Sequence, residues 1–125
     1  MGQKVLVIDD DEQDRKGIAL ALKREGYEEV LLAANEMEGL ELVKTFQPDA
    51  VIIDVILAQQ DGFDVCRAIK NSSPAQTKVI IITGHLEAIR AAKARVSGAD
   101  EILEKTAGFK DIHRTIVRLF AEGGT

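Results

Sequence analysis

The chain has no tryptophan, a single cysteine and only two histidines in 125 residues. One cysteine cannot close a disulfide within the chain. With two histidines it falls short of the four ligands of a structural zinc site. No apolar run approaches 18 residues, which excludes a transmembrane helix. The opening MGQKVLVIDDD has neither a signal-peptide apolar region nor a cleavage site. It also has Leu6 where N-myristoylation wants Ser or Thr. Basic charge is in short supply: 16 Lys and Arg face 21 Asp and Glu, a net charge of -5. That balance argues against nonspecific nucleic-acid binding. Repeats, low-complexity segments and linkers are missing too. The expected setting is a reducing cytoplasm.

What is present fits one soluble domain over residues 1–125, with a core at 3–121 and a frayed tail at 122–125. Hydrophobic residues make up 46% and charged residues 30%, which excludes a disordered chain. A chain of this length buries roughly two thirds of its unfolded surface and needs no disulfide or metal to fold. Short β-rich apolar runs lie at 5–8, 30–33, 50–53, 79–82 and 102–103. The third and fourth, AVIID and VIIIT, are continuously apolar, as strands covered on both faces are.

Helical patterns fill the gaps between these runs. Residues 12–25 carry Ile18, Ala21 and Leu22 and stop at Gly26. Residues 36–46 carry Leu40, Val43 and Phe46 and stop before Pro48. Residues 62–71 carry Phe63, Val65, Cys66 and Ile69, with Cys66 read as core. Residues 86–96 carry a weaker stripe of Leu86, Ile89, Ala92 and Val96. Residues 109–121 carry Phe109, Ile112, Ile116, Val117 and Phe120. Five alternations of strand and helix predict a doubly wound α/β domain with right-handed crossovers.

Ligands of that architecture bind beyond the carboxyl ends of the strands. The first strand ends in Asp9-Asp10-Asp11, followed by Glu12. Helix capping accounts for one aspartate there but poorly for three. Two carboxylates about 5 Å apart repel by roughly 3 kcal/mol at an effective dielectric near 20. A hard cation such as Mg²⁺ or Mn²⁺ relieves that repulsion. The third strand ends in Asp54, which a neighbouring position would bring beside Asp9 and Asp10. The fourth ends in Thr83-Gly84, a hydroxyl donor beside an approachable backbone. The fifth is followed by Lys105, a cation able to hold a carboxylate or a phosphoryl oxygen. Taken singly, each has an ordinary reading as a cap, a strand residue or a solvated charge. Together they are the parts of phosphoryl transfer onto an aspartate.

With these motifs in view, the chain resembles the receiver domain of two-component response regulators over residues 3–121. VLVIDDD matches the family's acid pair at Asp9 and Asp10. PDAVIID matches its phosphoacceptor at Asp54, with Asp61-Gly62 following. VIIITG matches its threonine at Thr83, and GADEILEK its lysine at Lys105. The resemblance implies a flavodoxin-like (βα)5 fold with a five-stranded parallel sheet. It implies Mg²⁺-dependent phosphotransfer (Mn²⁺ as substitute) to Asp54 from a phosphohistidine of a sensor kinase or phosphotransfer domain. It also implies signalling to a downstream protein or output domain, rather than an enzyme's turnover. Metal ligands would be Asp10, Asp54 and the carbonyl of Ile56, with Asp9 acting mostly through water.

Four departures stand out. Leu57-Ala58-Gln59-Gln60 replaces a loop that usually contains Pro-Gly. Thr106 follows the lysine in place of a cis proline. A cis bond there would cost about 2.5–4 kcal/mol, so a trans bond is expected and the placement of Lys105 becomes an open point. Ile102 stands at the position of an aromatic switch residue. Ile56 and His85 occupy the two positions that tune acyl-phosphate hydrolysis. Ile56 has no polar group to position water, so slow dephosphorylation is expected, while His85 is read as an exposed helix start. A surface including Ala91, Ala92 and Ile102 resembles the family's output face. Two other readings compete: a phosphorylation-independent interaction module of the same fold, and an aspartate-nucleophile phosphatase or a nucleotide or flavin binder. The phosphatase pattern wants an Asp where Ile56 stands, and no phosphate-cradling glycine loop follows the first strand.

Overall fold

In the computed structural model, residues 2–57, 60–72, 77–84, 88–105 and 109–123 are described. In chain order the elements are β1 (Val5–Ile8), α1 (Glu12–Arg24), β2 (Val30–Ala33), α2 (Glu36–Phe46) and β3 (Ala50–Asp54). Then follow β4 (Ile56–Leu57), β5 (Gln60–Asp61), α3 (Gly62–Ser72), β6 (Lys78–Thr83), α4 (Ala88–Ser97), β7 (Glu101–Glu104) and α5 (Lys110–Gly123). Five strands form one parallel sheet in the order β2-β1-β3-β6-β7, the flavodoxin-like arrangement. The direction of winding reverses between β1 and β3, and that seam opens a crevice at the carboxyl edge.

Alternation along the strands explains their unbroken apolar sequence. Leu6, Ile8, Val51, Ile53, Val79 and Ile81 point to one face, where Val43 of α2, Val65, Cys66 and Ile69 of α3 and Ala94 of α4 cover them. Val5, Val7, Ile52, Ile80 and Ile82 point to the other, against Ile18 and Leu22 of α1 and Ile112, Ile116 and Leu119 of α5. Each side chain of the central strands is thereby removed from water, worth about 1.5–3 kcal/mol for each large aliphatic group. Helix ends follow their local chemistry. Asp11 caps α1 through Gln13 N–H, and Asn35 caps α2 through Glu38 N–H. Gly26 takes φ 97° just past α1, a conformation that suits glycine and ends the helix.

Three expectations need correction. The small hairpin β4–β5, with Ile56 opposite Asp61, was not foreseen. Two-residue strands carry too little pattern to be read. The apolar stripe assigned to the fourth helix is misplaced. Ala92 and Val96 are exposed, and the buried positions of α4 among the described side chains are Ala94 and Ser97. Small side chains let this helix lie close to α3, where the Cys66 thiol donates to the Ser97 carbonyl at 3.6 Å. Likewise Val117 of α5 is exposed, and Leu119 takes the core position at helical spacing from Ile112 and Ile116. Of the fourth-helix stripe, Leu86 and the side chain of Ile89 lie outside the described residues. So do Ala58, Gln59, His85 and Thr106, and with them the Lys105–Thr106 bond.

Candidate functional site

The carboxyl edge of the sheet gathers the chemistry. β1 and β3 are hydrogen-bonded neighbours in register, Ile8 beside Ile53. Asp9 and Asp54 therefore leave the sheet side by side. β6 flanks β3 on its other side, with Asp54 opposite Ile82, and brings Thr83 to the same edge. β7 pairs Glu104 with Thr83, and Lys105 N–H donates to the Thr83 carbonyl at 2.7 Å. That bond directs the chain after β7 back toward the crevice.

Asp54 is buried. Its Oδ1 accepts from Ile56 N–H at 3.0 Å, and its Oδ2 accepts from Lys105 Nζ at 2.8 Å. The same ammonium donates to Asp14 Oδ2 at 2.6 Å and reaches Asp9 Oδ2 at 3.5 Å. Lys105 therefore sits on the Asp54 carboxylate without a proline after it. Asp9 is fully buried. Its Oδ1 accepts from Asp11 N–H at 2.9 Å, and its backbone carbonyl accepts from Arg15 at 2.7 Å. Gly62 closes the site from below. A β-carbon there would overlap the Asp54 carbonyl oxygen and the Val55 backbone, so only glycine lets α3 start this close to Asp54.

Electrostatics follow from this packing. Burial pushes the Asp9 carboxyl up to about 6. The charge of Asp54 adds to that rise, while the Asp11 N–H and the Lys105 charge oppose it. Burial also works against the charge on Lys105. The hydrogen bonds to Asp14 and Asp54 and the charges of Asp54 and Asp9 outweigh it, so its pKa lies above the ordinary lysine value.

Carboxylate oxygens of Asp9, Asp14 and Asp54 lie within 4.8 Å of one another. Three ionised carboxylates and one ammonium leave two negative charges, which a divalent cation balances. The donors are hard oxygens, so the site suits Mg²⁺ or Mn²⁺ better than a soft metal. Of the residues expected from sequence, Asp9, Asp54 and Lys105 meet, and Thr83 stands buried at the adjacent strand end. Asp10 is exposed and outside the group of three. Ile56 is exposed beside Asp54. Two participants were missed. Asp14 lies in the first turn of α1, where an acid reads as a helix-dipole residue. Arg90 of α4 donates to Thr83 Oγ1 at 2.6 Å. The signal available for the first was its place in the first turn of the helix that starts just after Asp9. Nothing in the sequence marked the second.

Comparison with known proteins agrees with this geometry. Residues 5–117 match the response regulator receiver domain family. The transcriptional regulatory protein AfsQ1 of Streptomyces coelicolor is 36% identical over 101 residues, which are 81% of this chain and 44% of that protein. The chain spans about half the length of the curated relatives it matches. The signal receiver domain of a DNA-binding response regulator from Colwellia psychrerythraea superposes with a TM-score of 0.84 at 29% identity, covering 95% of this chain and 98% of that one. A response regulator from Burkholderia pseudomallei, solved with a phosphorylated aspartic acid, a calcium ion and citrate, superposes with a TM-score of 0.80 at 28% identity. It covers 88% of this chain and 64% of that one. The chain belongs to the response regulator receiver domain family and is a signalling domain of the two-component type.

Proposed function

We propose that Asp54 accepts a phosphoryl group from a phosphohistidine of a sensor histidine kinase or phosphotransfer domain. The observation that carries this reading is the single ammonium of Lys105 at 2.8 Å from Asp54, inside a cluster with Asp9 and Asp14. In the transfer, an Asp54 carboxylate oxygen forms the new O–P bond as the P–N bond to the donor imidazole breaks. The imidazole nitrogen keeps the electron pair and takes a proton. Negative charge then resides on the phosphoryl oxygens rather than on the carboxylate. Lys105 is placed to follow it, and the Thr83 hydroxyl to donate to it. Mg²⁺ or Mn²⁺ supplies charge neutralisation at the phosphoryl oxygens when bound. Asp9, Asp54 and the Ile56 carbonyl would hold it, with Asp10 from the exposed side. Asp14 is a further carboxylate within reach.

The phosphorylated form signals in the cytoplasm to a downstream protein or an attached output domain, and any autophosphorylation or dephosphorylation is self-catalysed. An exposed aliphatic Ile56 beside the acceptor offers no group to orient water. The acyl phosphate is therefore expected to outlast free acetyl phosphate. Intact mass after incubation with acetyl phosphate, with and without Mg²⁺, tests the reading on wild type and Asp54→Asn. One Mg²⁺-dependent adduct, absent from the variant, is expected. No adduct from acetyl phosphate or from a phosphorylated kinase domain would favour the phosphorylation-independent interaction module.

A further inference from the structure

We infer that Asp14 is a positioning residue that anchors the Lys105 ammonium beside Asp54 while the charge on Asp54 changes during phosphoryl transfer. This rests on the phosphoacceptor reading above. None of the motifs that carry the family resemblance includes Asp14. Its Oδ2 nevertheless lies 2.6 Å from Lys105 Nζ, the shortest of that ammonium's three carboxylate contacts. Asp54 Oδ2 follows at 2.8 Å and Asp9 Oδ2 at 3.5 Å. A lysine ammonium has three donors. Asp14 and Asp54 engage two of them at charge-assisted distances, and the third meets only the long Asp9 contact. Asp14 acts through Lys105 and touches no reacting atom.

Lys105 reaches the site on a flexible four-carbon stem. Asp14 stands on the first turn of α1, which is tied to the end of β1. Arg15 donates to the Asp9 carbonyl at 2.7 Å, and Asp11 caps the helix. The stiffer element therefore sets where the ammonium rests. Its two short contacts do not persist equally. Asp54 holds Lys105 by its negative charge. An acyl phosphate leaves that carboxyl group uncharged and places the charge on the phosphoryl oxygens. Asp14 takes no phosphoryl group and keeps its charge throughout. It retains the ammonium as Asp54 lets go, and the released donor turns to a phosphoryl oxygen. The Lys105 side chain is 19% exposed, so without Asp14 water competes for that ammonium. Asp14 also opposes the transfer directly, because its charge repels an incoming phosphoryl group. The two effects have opposite signs, and only the anchoring one runs through Lys105.

The test follows Asp54 adduct formation by intact mass, with acetyl phosphate and Mg²⁺ saturating for each variant. The variants are Asp14→Asn, Asp14→Glu, Lys105→Met and the Asp14→Asn/Lys105→Met double variant, beside wild type. The expected result is a threefold or greater slowing in Asp14→Asn, partly restored in Asp14→Glu. In the Lys105→Met background the same Asn substitution should leave the rate unchanged or raise it, because only the repulsion remains to be removed. Acetylation of the Lys105 amine at fixed pH, read by peptide mass in the unphosphorylated chain, needs no Lys105 variant to fold. It should quicken threefold or more in Asp14→Asn. Three outcomes would each overturn the inference and leave the phosphoacceptor reading intact. They are an Asp14→Asn rate at or above wild type, equal slowing in both backgrounds, and wild-type labelling of Lys105 in folded Asp14→Asn. A wild type that takes no adduct from acetyl phosphate or from a phosphorylated kinase domain would overturn both.

Discussion

Replacing Asp9 with Asn should stabilise the metal-free protein, and the gain should grow as the pH rises. Asp9 is fully buried, and burial is the main reason its carboxyl titrates near 6 in the folded chain. In the unfolded chain it titrates near the ordinary aspartate value of about 4. The folded pKa is the higher one. Stability from this group is therefore fully present below pH 4 and is lost as the pH rises through 6. A gap of about two pH units, at about 1.4 kcal/mol for each, amounts to about 3 kcal/mol at full ionisation. About 2 kcal/mol of that should be lost between pH 4.5 and 7.5. Asn has the same shape and can still accept the Asp11 N–H bond, and besides the charge it gives up the long 3.5 Å contact of Oδ2 with Lys105. The assay is urea unfolding of both proteins in a chelator at several pH values, read as the difference between them. Other titrating groups largely cancel in that difference. A difference independent of pH, or a wild type more stable than the variant at pH 7.5, would refute the reasoning. Saturating Mg²⁺ should reverse the order, because it binds the folded wild type more tightly than the variant.

Other outcomes follow from the same geometry. Lys105→Met leaves the carboxylates of Asp9, Asp14 and Asp54 without their shared ammonium. It should cost about 3 kcal/mol in urea unfolding without metal, and less with Mg²⁺. Gly62→Ala forces a β-carbon into the Asp54 carbonyl. It should destabilise the chain by about 1–3 kcal/mol and slow adduct formation at Asp54 on the acetyl phosphate time course. Burial raises the pKa of the Cys66 thiol. Thiol reagents should therefore label it only on the unfolding timescale, and rapid labelling of the folded chain would contradict its place in the core.

The features that could be read from sequence are those a short segment determines by itself. A run such as AVIID can only be a strand covered on both sides, and β3 and β6 came out within one residue of expectation. Right-handed crossovers then force the strand ends to one edge, so Asp9, Asp54, Thr83 and Lys105 could be assembled before any coordinate was known. The second half of α4 was misread because its buried side chains among the described residues are the small Ala94 and Ser97, and hydrophobic periodicity weighs Val96 above them. Asp14 and Arg90 were invisible for a different reason. Asp14 acquires its role from a lysine 91 residues away. Arg90 acquires its role from the buried hydroxyl of Thr83 on another element. Locally, one is an acid in a first turn and the other a charge on a half-exposed helix. Asp14 touches Lys105, which touches Asp54, and Arg90 touches Thr83 at the adjoining strand end. A motif records the groups expected to meet the phosphoryl oxygens, whereas these two contact the groups that the motif names. The second kind of residue can differ between chains that keep the first unchanged. That is where the loss of the proline after Lys105 bears on this chain: its ammonium is held in place by the Asp14 carboxylate at 2.6 Å.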